Sequence, residues 1–395
     1  MDKNNFIPLM KVAFTQEKRT CKKLAKFISS IPKLSMGDMC LQFEQEFSRW
    51  QGKKYSVLVN SGGSANFLLL QALKNLGRIK EGDAIGFSSL TWSTNVMPII
   101  QHGFKPIPID CEIKTLNVMS CDLETAIKKY NLKVFFATNV LGFCGDLDEI
   151  KKICEENGVI YLEDNCEALG TEYKGIKTGN FGIASTFSFF VAHHMSTIEG
   201  GMIATDDYEL FIMLTMCRAN GWDRNLPKEI QDALRKKYKI ESEFESKYAF
   251  YDIGMNVRPT EITGFLGLEQ LKLLPTALIK REKNYKKIRK MIKVNSELIN
   301  VDLHFINFIP AFSTPIITKN GELSQKYVDK FKDLVEIRPL IAGNMIKQPF
   351  WPKYSLNTYE LAGTEFLHGS SFYFGNYPEM DKTDLKILKE LLNEV

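Results

Sequence analysis

Two adjacent histidines, His193 and His194, stand ahead of a Glu199-Gly200-Gly201 run in a chain with only five histidines. An imidazole exchanges a proton near neutral pH, so a histidine here can act as general base and then as general acid. Neighbouring side chains on an extended segment point oppositely, so at most one of the pair faces a site. Surface decoration accounts for two loop histidines as readily. Asn60-Ser61-Gly62-Gly63-Ser64 joins glycines that permit close approach to hydroxyls and to free N–H groups, a combination that suits a phosphate. A tight strand-to-helix turn needs the same glycines. Thr91-Trp92-Ser93-Thr94 offers an indole that can stack on a flat ring, or pack into the core. Glu163-Asp164-Asn165-Cys166-Glu167 ends the apolar run Val159–Leu162. A carboxylate there fits a protonated ring nitrogen, and Glu167 can face the same crevice. Asp164 or Asn165 would serve equally as a helix N-cap.

The elements that must position these groups alternate. Tyr55–Asn60, Asp83–Ser88, Lys105–Asp110, Lys133–Val140 and Val159–Asp164 read as strands. Ser64–Leu76, Thr94–Gln101 and Asp148–Asn157 read as helices between them. That rhythm predicts a mostly parallel sheet covered by helices. Ala184–Phe190 and Gly201–Thr205 read as two more strands, separated by the histidine loop. After about residue 250 the pattern changes to helices at Thr260–Leu273, Pro275–Val294 and Lys382–Glu394, with strand-like pieces at Phe305–Phe312 and Leu334–Arg338. The expectation is a large α/β domain over residues 1–250, including an N-terminal helical arm, and a smaller α+β domain over 251–395.

Composition narrows the classes. A chain of 395 residues that is 44% hydrophobic has ample material for a buried core. A net charge of +4, with no basic run, argues against nucleic acid as partner. No apolar stretch is long enough to span a bilayer, and Met1–Met10 has no apolar signal core; both features point to a cytoplasmic protein. Eight cysteines include no pair at C-x-x-C spacing, and none follows Cys217. A disulfide framework, a metal site and an iron–sulfur cluster are therefore not expected.

Taken jointly, the four groupings resemble the DegT/DnrJ/EryC1 sugar aminotransferase family of fold-type-I pyridoxal-phosphate enzymes. The resemblance covers nearly the whole chain, from Leu34-Ser35-Met36-Gly37 and Phe43-Glu44 to Asn256-Val257-Arg258-Pro259-Thr260-Glu261-Ile262. It implies a mixed, mostly parallel seven-stranded sheet and a pyridoxal 5′-phosphate/pyridoxamine 5′-phosphate cofactor. By that match Gly62, Gly63 and Ser188 hold the cofactor phosphate, Trp92 stacks on its ring, and Asp164 meets the ring nitrogen. Glu167 lies near the phenolic side, and Asn256 reaches the cofactor phosphate of a second copy, which implies a homodimer with shared sites. Gly63 departs from the family, where a serine is usual.

The informative departure is His193, which stands where those aminotransferases carry lysine. An imidazole has no primary amine to condense with the cofactor aldehyde or to displace a product amine. The His193-His194-Met195-Ser196-Thr197-Ile198-Glu199-Gly200-Gly201-Met202 loop, Gly221–Arg224 and Arg338–Pro349 resemble a narrower group, the C-3 sugar dehydratases of 3,6-dideoxysugar synthesis. One branch of that group uses an iron–sulfur cluster and a reductase partner, with its cysteines downstream of the histidine loop. Only Cys217 lies there, so the resemblance is to the branch that uses L-glutamate and a GDP-linked 4-keto-6-deoxy sugar. His193 would be the catalytic base and acid, a role that asks for a pKa near the working pH, and His194 loop support. Arg224, Arg258 and Arg338 are candidates for the diphosphate or the glutamate carboxylates, although surface and interface pairs suit them equally. A nucleotide-sugar aminotransferase with an unusual base, and a catalytically silent nucleotide-sugar-binding relative, are the rival readings.

Overall fold

Short β-branched runs alternating with helical segments need helices on both faces of a sheet, and the chain folds that way. The computed structural model describes residues 6–31, 33–355 and 357–395. Residues 1–5 of the Met1–Met10 stretch lie outside the described residues. Helices α1 (Glu17–Ser30) and α2 (Asp38–Gln51) lead into β1 (Tyr55–Val59), α3 (Gly62–Asn75) and β2 (Ala84–Ser88). Then come α4 (Met97–Gln101), β3 (Lys105–Ile109), α5 (Ser120–Tyr130), β4 (Val134–Thr138), α6 (Leu147–Glu156) and β5 (Ile160–Asp164). A hairpin of β6 (Glu172–Tyr173) and β7 (Ile176–Lys177) precedes β8 (Ala184–Ser188), β9 (Gly201–Thr205), α7 (Tyr208–Cys217) and α8 (Lys228–Lys237).

The seven-stranded sheet runs β1-β9-β8-β5-β4-β2-β3, with β9 antiparallel to both neighbours and the other pairs parallel. Every residue of β4 is buried. Val134 and Phe136 face one core with α3 and α7, while Phe135 and Ala137 face the other with α5 and α6. This is the double-faced burial that a parallel central strand requires. The edge strand β1 is closed by side chains. Glu44 of α2 accepts the Leu58 N–H at 2.7 Å, and buried Arg218 pairs with Glu44 and donates to the Leu58 carbonyl at 2.9 Å. An edge so occupied cannot recruit another strand, and the turn after β1 is held in place.

The chain continues through α9 (Glu261–Leu271), α10 (Leu274–Lys293), β10 (Ile306–Phe308), β11 (Ser313–Ile317) and α11 (Gly321–Phe331). It ends with β12 (Ile337–Pro339), α12 (Ala362–Ser370), β13 (Ser371–Gly375) and α13 (Lys382–Leu391). A second, antiparallel sheet has the order β11-β13-β12. Its core joins Ile316, Phe372 and Phe374 to Tyr327, Phe331, Ile288 and Leu388. Glu261 accepts the N–H groups of Gly37, Met39 and Cys40, so a carboxylate of α9 satisfies the free donors that open α2.

Two expectations change. Thr94–Gln101 is not one helix but a short 3₁₀ turn, Ser93–Asn95, followed by α4, because Pro98 lacks the N–H that a continuous helix would use. Phe305–Phe312 is not one strand. Ile306–Phe308 pairs with β6, Pro310 cannot extend that ladder, and a separate strand begins at Ser313. Among the described residues no single helix is long and apolar enough to cross a membrane.

Candidate active site

Strands β1, β2, β4, β5 and β8 run in one direction, so their carboxyl ends meet along one edge of the sheet. Ligand sites of such sheets form outside that edge. A cavity of about 480 Å³ lies there, a size suited to a cofactor-scale ligand. Gly62, Gly63, Trp92, Asp164, Glu167, Ser188 and His193, drawn from four separate segments, all line it.

The glycines open α3, whose N-cap Ser61 accepts the Ser64 N–H at 3.0 Å. A Cβ on Gly62 would stand 2.7 Å from Ser188 Cβ and 3.0 Å from Cys166 Sγ, so only glycine lets the turn sit against β8. A Cβ on Gly63 would meet Thr94 Cγ2 at 3.0 Å, which gives a local reason for glycine there. Free N–H groups, a helix N-terminus and the Ser188 hydroxyl thus face one place, a cradle that fits a phosphate. Trp92 is 53% exposed at the cavity wall, with a ring face free to stack.

Asp164 ends β5 and is 3% exposed. Its Oδ2 accepts from Asn66 Nδ2 at 2.7 Å and Asn95 Nδ2 at 2.8 Å, and its Oδ1 from the Cys166 N–H at 2.8 Å. Thr186 Oγ1 donates to Asn66 Oδ1 at 2.6 Å, which orients that amide. Every partner of this buried carboxylate is a neutral amide. A cationic ring N–H is the partner such a group lacks, so the donor set fits a protonated pyridine. The adjacent Glu163 points away, as alternation on a strand demands, and takes the N–H groups of Gly179, Phe181 and Gly182. Glu167 accepts the Leu141 N–H at 2.9 Å. Burial pushes its carboxyl up to about 8, the Leu141 N–H opposes this, and the Asp164 charge adds to it. Glu167 is therefore chiefly protonated at neutral pH and can donate an O–H.

The loop between β8 and β9 carries the histidines. Gly201 opens β9 where a Cβ would lie 2.2 Å from the Ser61 carbonyl oxygen, so the glycine pair lets this loop pass close to the α3 turn. His193 Nδ1–H donates to the Cys166 carbonyl at 2.5 Å. A carbonyl only accepts, so the proton resides on Nδ1 and Nε2 keeps its lone pair. The Phe312 ring lies 5.0 Å from the imidazole, centroid to centroid. Burial lowers His193 to about 4; the Cys166 carbonyl and Asp164 oppose this, and Arg281 reinforces it. That value is below the near-neutral pKa expected of a proton shuttle, because desolvation outweighs the nearby carboxylate. His194 is turned away, 3% exposed, with Nε2–H donated to the Pro310 carbonyl at 2.9 Å.

Not every expected residue gathers here. Asn256, Arg224 and Arg258 line a separate surface cavity of about 230 Å³, where Arg258 Nε donates to Asn256 Oδ1 at 3.0 Å. Arg338 lies on β12, paired with Glu336 at 2.5 Å and directly across from Tyr373, which does line the main cavity. Asn66, Asn95, Thr186, Phe312 and Tyr373 belong to the site's structure and went unread in the sequence. Asn66 alone carried a local signal, an amide inside the otherwise apolar α3. A larger groove of about 680 Å³ beside α2 and α9 holds surface charges that pair among themselves, Arg49 with Glu46 and Lys272 with Glu269, and no convergent reactive groups.

Comparison with known proteins agrees with this geometry. Residues 16–391 match the DegT/DnrJ/EryC1/StrS aminotransferase family. GDP-4-keto-6-deoxy-D-mannose 3-dehydratase of Escherichia coli O55:H7 is 34% identical over 364 residues, 91% of this chain and 92% of that protein. A solved structure of the E coli enzyme with bound hydrated PLP superposes with a TM-score of 0.88 at 32% identity, covering 98% of this chain and 99% of the other. Another, of GDP-4-keto-6-deoxymannose-3-dehydratase with a trapped PLP-glutamate geminal diamine, also scores 0.88 at 32% identity, over 98% and 100% of the two chains.

Proposed function

Because this chain belongs to the DegT/DnrJ/EryC1/StrS aminotransferase family, we propose that it is a pyridoxal-phosphate- and glutamate-dependent 3-dehydratase of a GDP-linked 4-keto-6-deoxy sugar, serving 3,6-dideoxysugar synthesis for a surface polysaccharide. The observation that carries this reading is the imidazole in the cavity wall. Among the described residues that line the cavity, His193 is present and lysine is not. Without a side-chain amine to displace it, nitrogen delivered to the sugar is released by water as ammonia rather than kept in the product.

The bound cofactor supplies an amine for the C-4 ketone and a ring that takes up electrons. Gly62, Gly63 and Ser188 hold its phosphate, Trp92 covers its face, and Asp164 keeps the ring nitrogen protonated. His193 Nε2 takes up a proton and returns it to the departing C-3 hydroxyl. An imidazole of low pKa is a modest base but, once protonated, a strong acid, which favours the second task. The balance closes without an outside reductant. L-Glutamate becomes 2-oxoglutarate and ammonia, giving up two electrons, and the sugar loses one oxygen. Asn256, Arg224 and Arg258, which do not line the main cavity of their own copy, are assigned to the site of a second copy in a homodimer. Arg338, opposite Tyr373 on the second sheet, is the candidate within this copy for the diphosphate or the glutamate carboxylates.

The test is stoichiometric. Enzyme, L-glutamate and GDP-4-keto-6-deoxymannose should yield ammonia and 2-oxoglutarate one for one with a nucleotide sugar lighter by one oxygen. Stable build-up of a 4-amino sugar would sink the reading.

A further inference from the structure

A buried group beside the site that this chemistry does not use is Arg281 of α10, 4% exposed. Its acceptors are backbone carbonyls: His193 at 3.3 Å from Nη2, Phe312 at 3.1 Å from Nη1, and Asn376. Asn376 returns the contact by donating to the Arg281 carbonyl at 3.1 Å and to the Ala311 carbonyl at 2.8 Å. A buried cation with no carboxylate among its hydrogen-bond partners is costly, and the same apolar contacts could be made by a neutral side chain. The location explains the choice. One fork ties the carbonyl of His193 to the segment that bears Phe312, whose ring abuts the imidazole. The Phe312 N–H in turn donates to the Leu141 carbonyl at 2.9 Å, and the Leu141 N–H donates to Glu167. The guanidinium thus closes a circuit from the loop of the base to the second acid of the cavity. A lysine ammonium carries the same charge but cannot span divergent acceptors with a planar fork.

We propose that Arg281 is a positioning residue for His193: it fixes the backbone of the histidine loop against the Phe312 segment. The assignment rests on His193 being the base of the proposed dehydratase. Other ionisable groups beside His193 are Asp164 at the end of β5, Cys166 and Glu167 after it, His194 and Glu199 on its own loop, Tyr373 on β13, and Tyr377 and Glu379 beyond that strand, Glu379 also acting on Arg281. Asp164 opposes Arg281 in its effect on the imidazole, and burial acts in the same sense as Arg281.

The experiment compares Arg281→Lys and Arg281→Gln in the cofactor-loaded enzyme, following kcat, KM for the sugar nucleotide, and the His193 titration in histidine-labelled protein by NMR. Both variants should lose kcat by up to about a hundredfold, the scale expected of a base displaced by roughly an ångström, with KM little changed. The His193 midpoint should move to higher pH in both variants, because a loop that is no longer fixed admits water to the imidazole. Wild-type kcat in either variant, or an unmoved midpoint in Arg281→Gln, overturns the proposal. If Arg281→Gln does not fold, Arg281→Lys decides alone, and failure of both to fold makes Arg281 a residue of the fold only, which also overturns it. Normal turnover by His193→Asn would instead reject the base, while the midpoint shift would still report the coupling.

Discussion

Lowering the pH is the perturbation whose outcome the site geometry fixes most sharply. An ordinary imidazole titrates at 6.5, and His193 is lowered to about 4, first by burial. At pH 6 an ordinary histidine is about three-quarters protonated, whereas His193 should be about 1% protonated. The displacement corresponds to about 3 kcal/mol of preference for the neutral form, at 1.36 kcal/mol per pH unit, as an upper value because the residue is half-buried. Between about pH 6.5 and 4 the unfolded chain binds a proton at this position and the folded chain does not, so stability is lost as pH falls through that window. The assay is NMR titration of labelled histidines in cofactor-free protein, with His193 assigned by the signal missing from His193→Asn. The loss of urea stability from pH 6.5 to 4 should be shallower in that variant. A His193 midpoint between 6 and 7 would refute the reasoning, because it would mean that the imidazole is solvated and the loop is open.

Glu167 gives the opposite pH dependence. Its pKa of about 8 exceeds its ordinary value, so stability falls as pH rises from about 4.5 to 8, and Glu167→Gln should flatten that slope in chemical denaturation. An unchanged slope would show that the carboxyl is solvated. Gly62→Ala places a methyl 2.7 Å from Ser188 Cβ, and should cost about 1–3 kcal/mol of stability and weaken binding of pyridoxal phosphate; a normal melting temperature with normal affinity would count against the cradle. Asp164→Asn turns an acceptor of three N–H groups into a group that is half donor. It should slow the half-reaction with glutamate by about 10²–10³, the scale of losing one preorganised electrostatic partner; wild-type rate by stopped-flow absorbance would remove Asp164 from the ring nitrogen. His193→Lys restores an amine that can condense with the cofactor, so part of the product should become amino sugar in mass analysis, and none would argue against the geometry of the loop.

The strands that end at the site were legible because period and composition are local. β9 follows the expected Gly201–Thr205, and β1, β5 and β8 lie within a residue or two of theirs. The helix opening at Gly62-Gly63 and the carboxylate at the end of β5 were legible for the same reason: a turn and a strand end have their own residue preferences. Phe312 and Tyr373 were not. Phe312 stands just before β11 and Tyr373 on β13, 119 and 180 positions from His193, so they reach the cavity through the second sheet and no window of sequence contains them. The Phe305–Phe312 run shows the limit from the other side, since its two halves pair with different sheets and only the partners decide where it breaks.

The types and spacing of residues along the chain thus determined which groups could do chemistry: a phosphate turn, a stacking indole, a carboxylate at a strand end, and an imidazole in place of an amine. Tertiary structure alone decided their charge states and directions. Whether His193 is neutral, which nitrogen carries its proton, and which of two neighbouring histidines faces the cavity depend on the Cys166 and Pro310 carbonyls, on Arg281 and on burial. Those are long-range properties, because desolvation and hydrogen bonding act through whatever the fold brings near, not through what is adjacent in the chain.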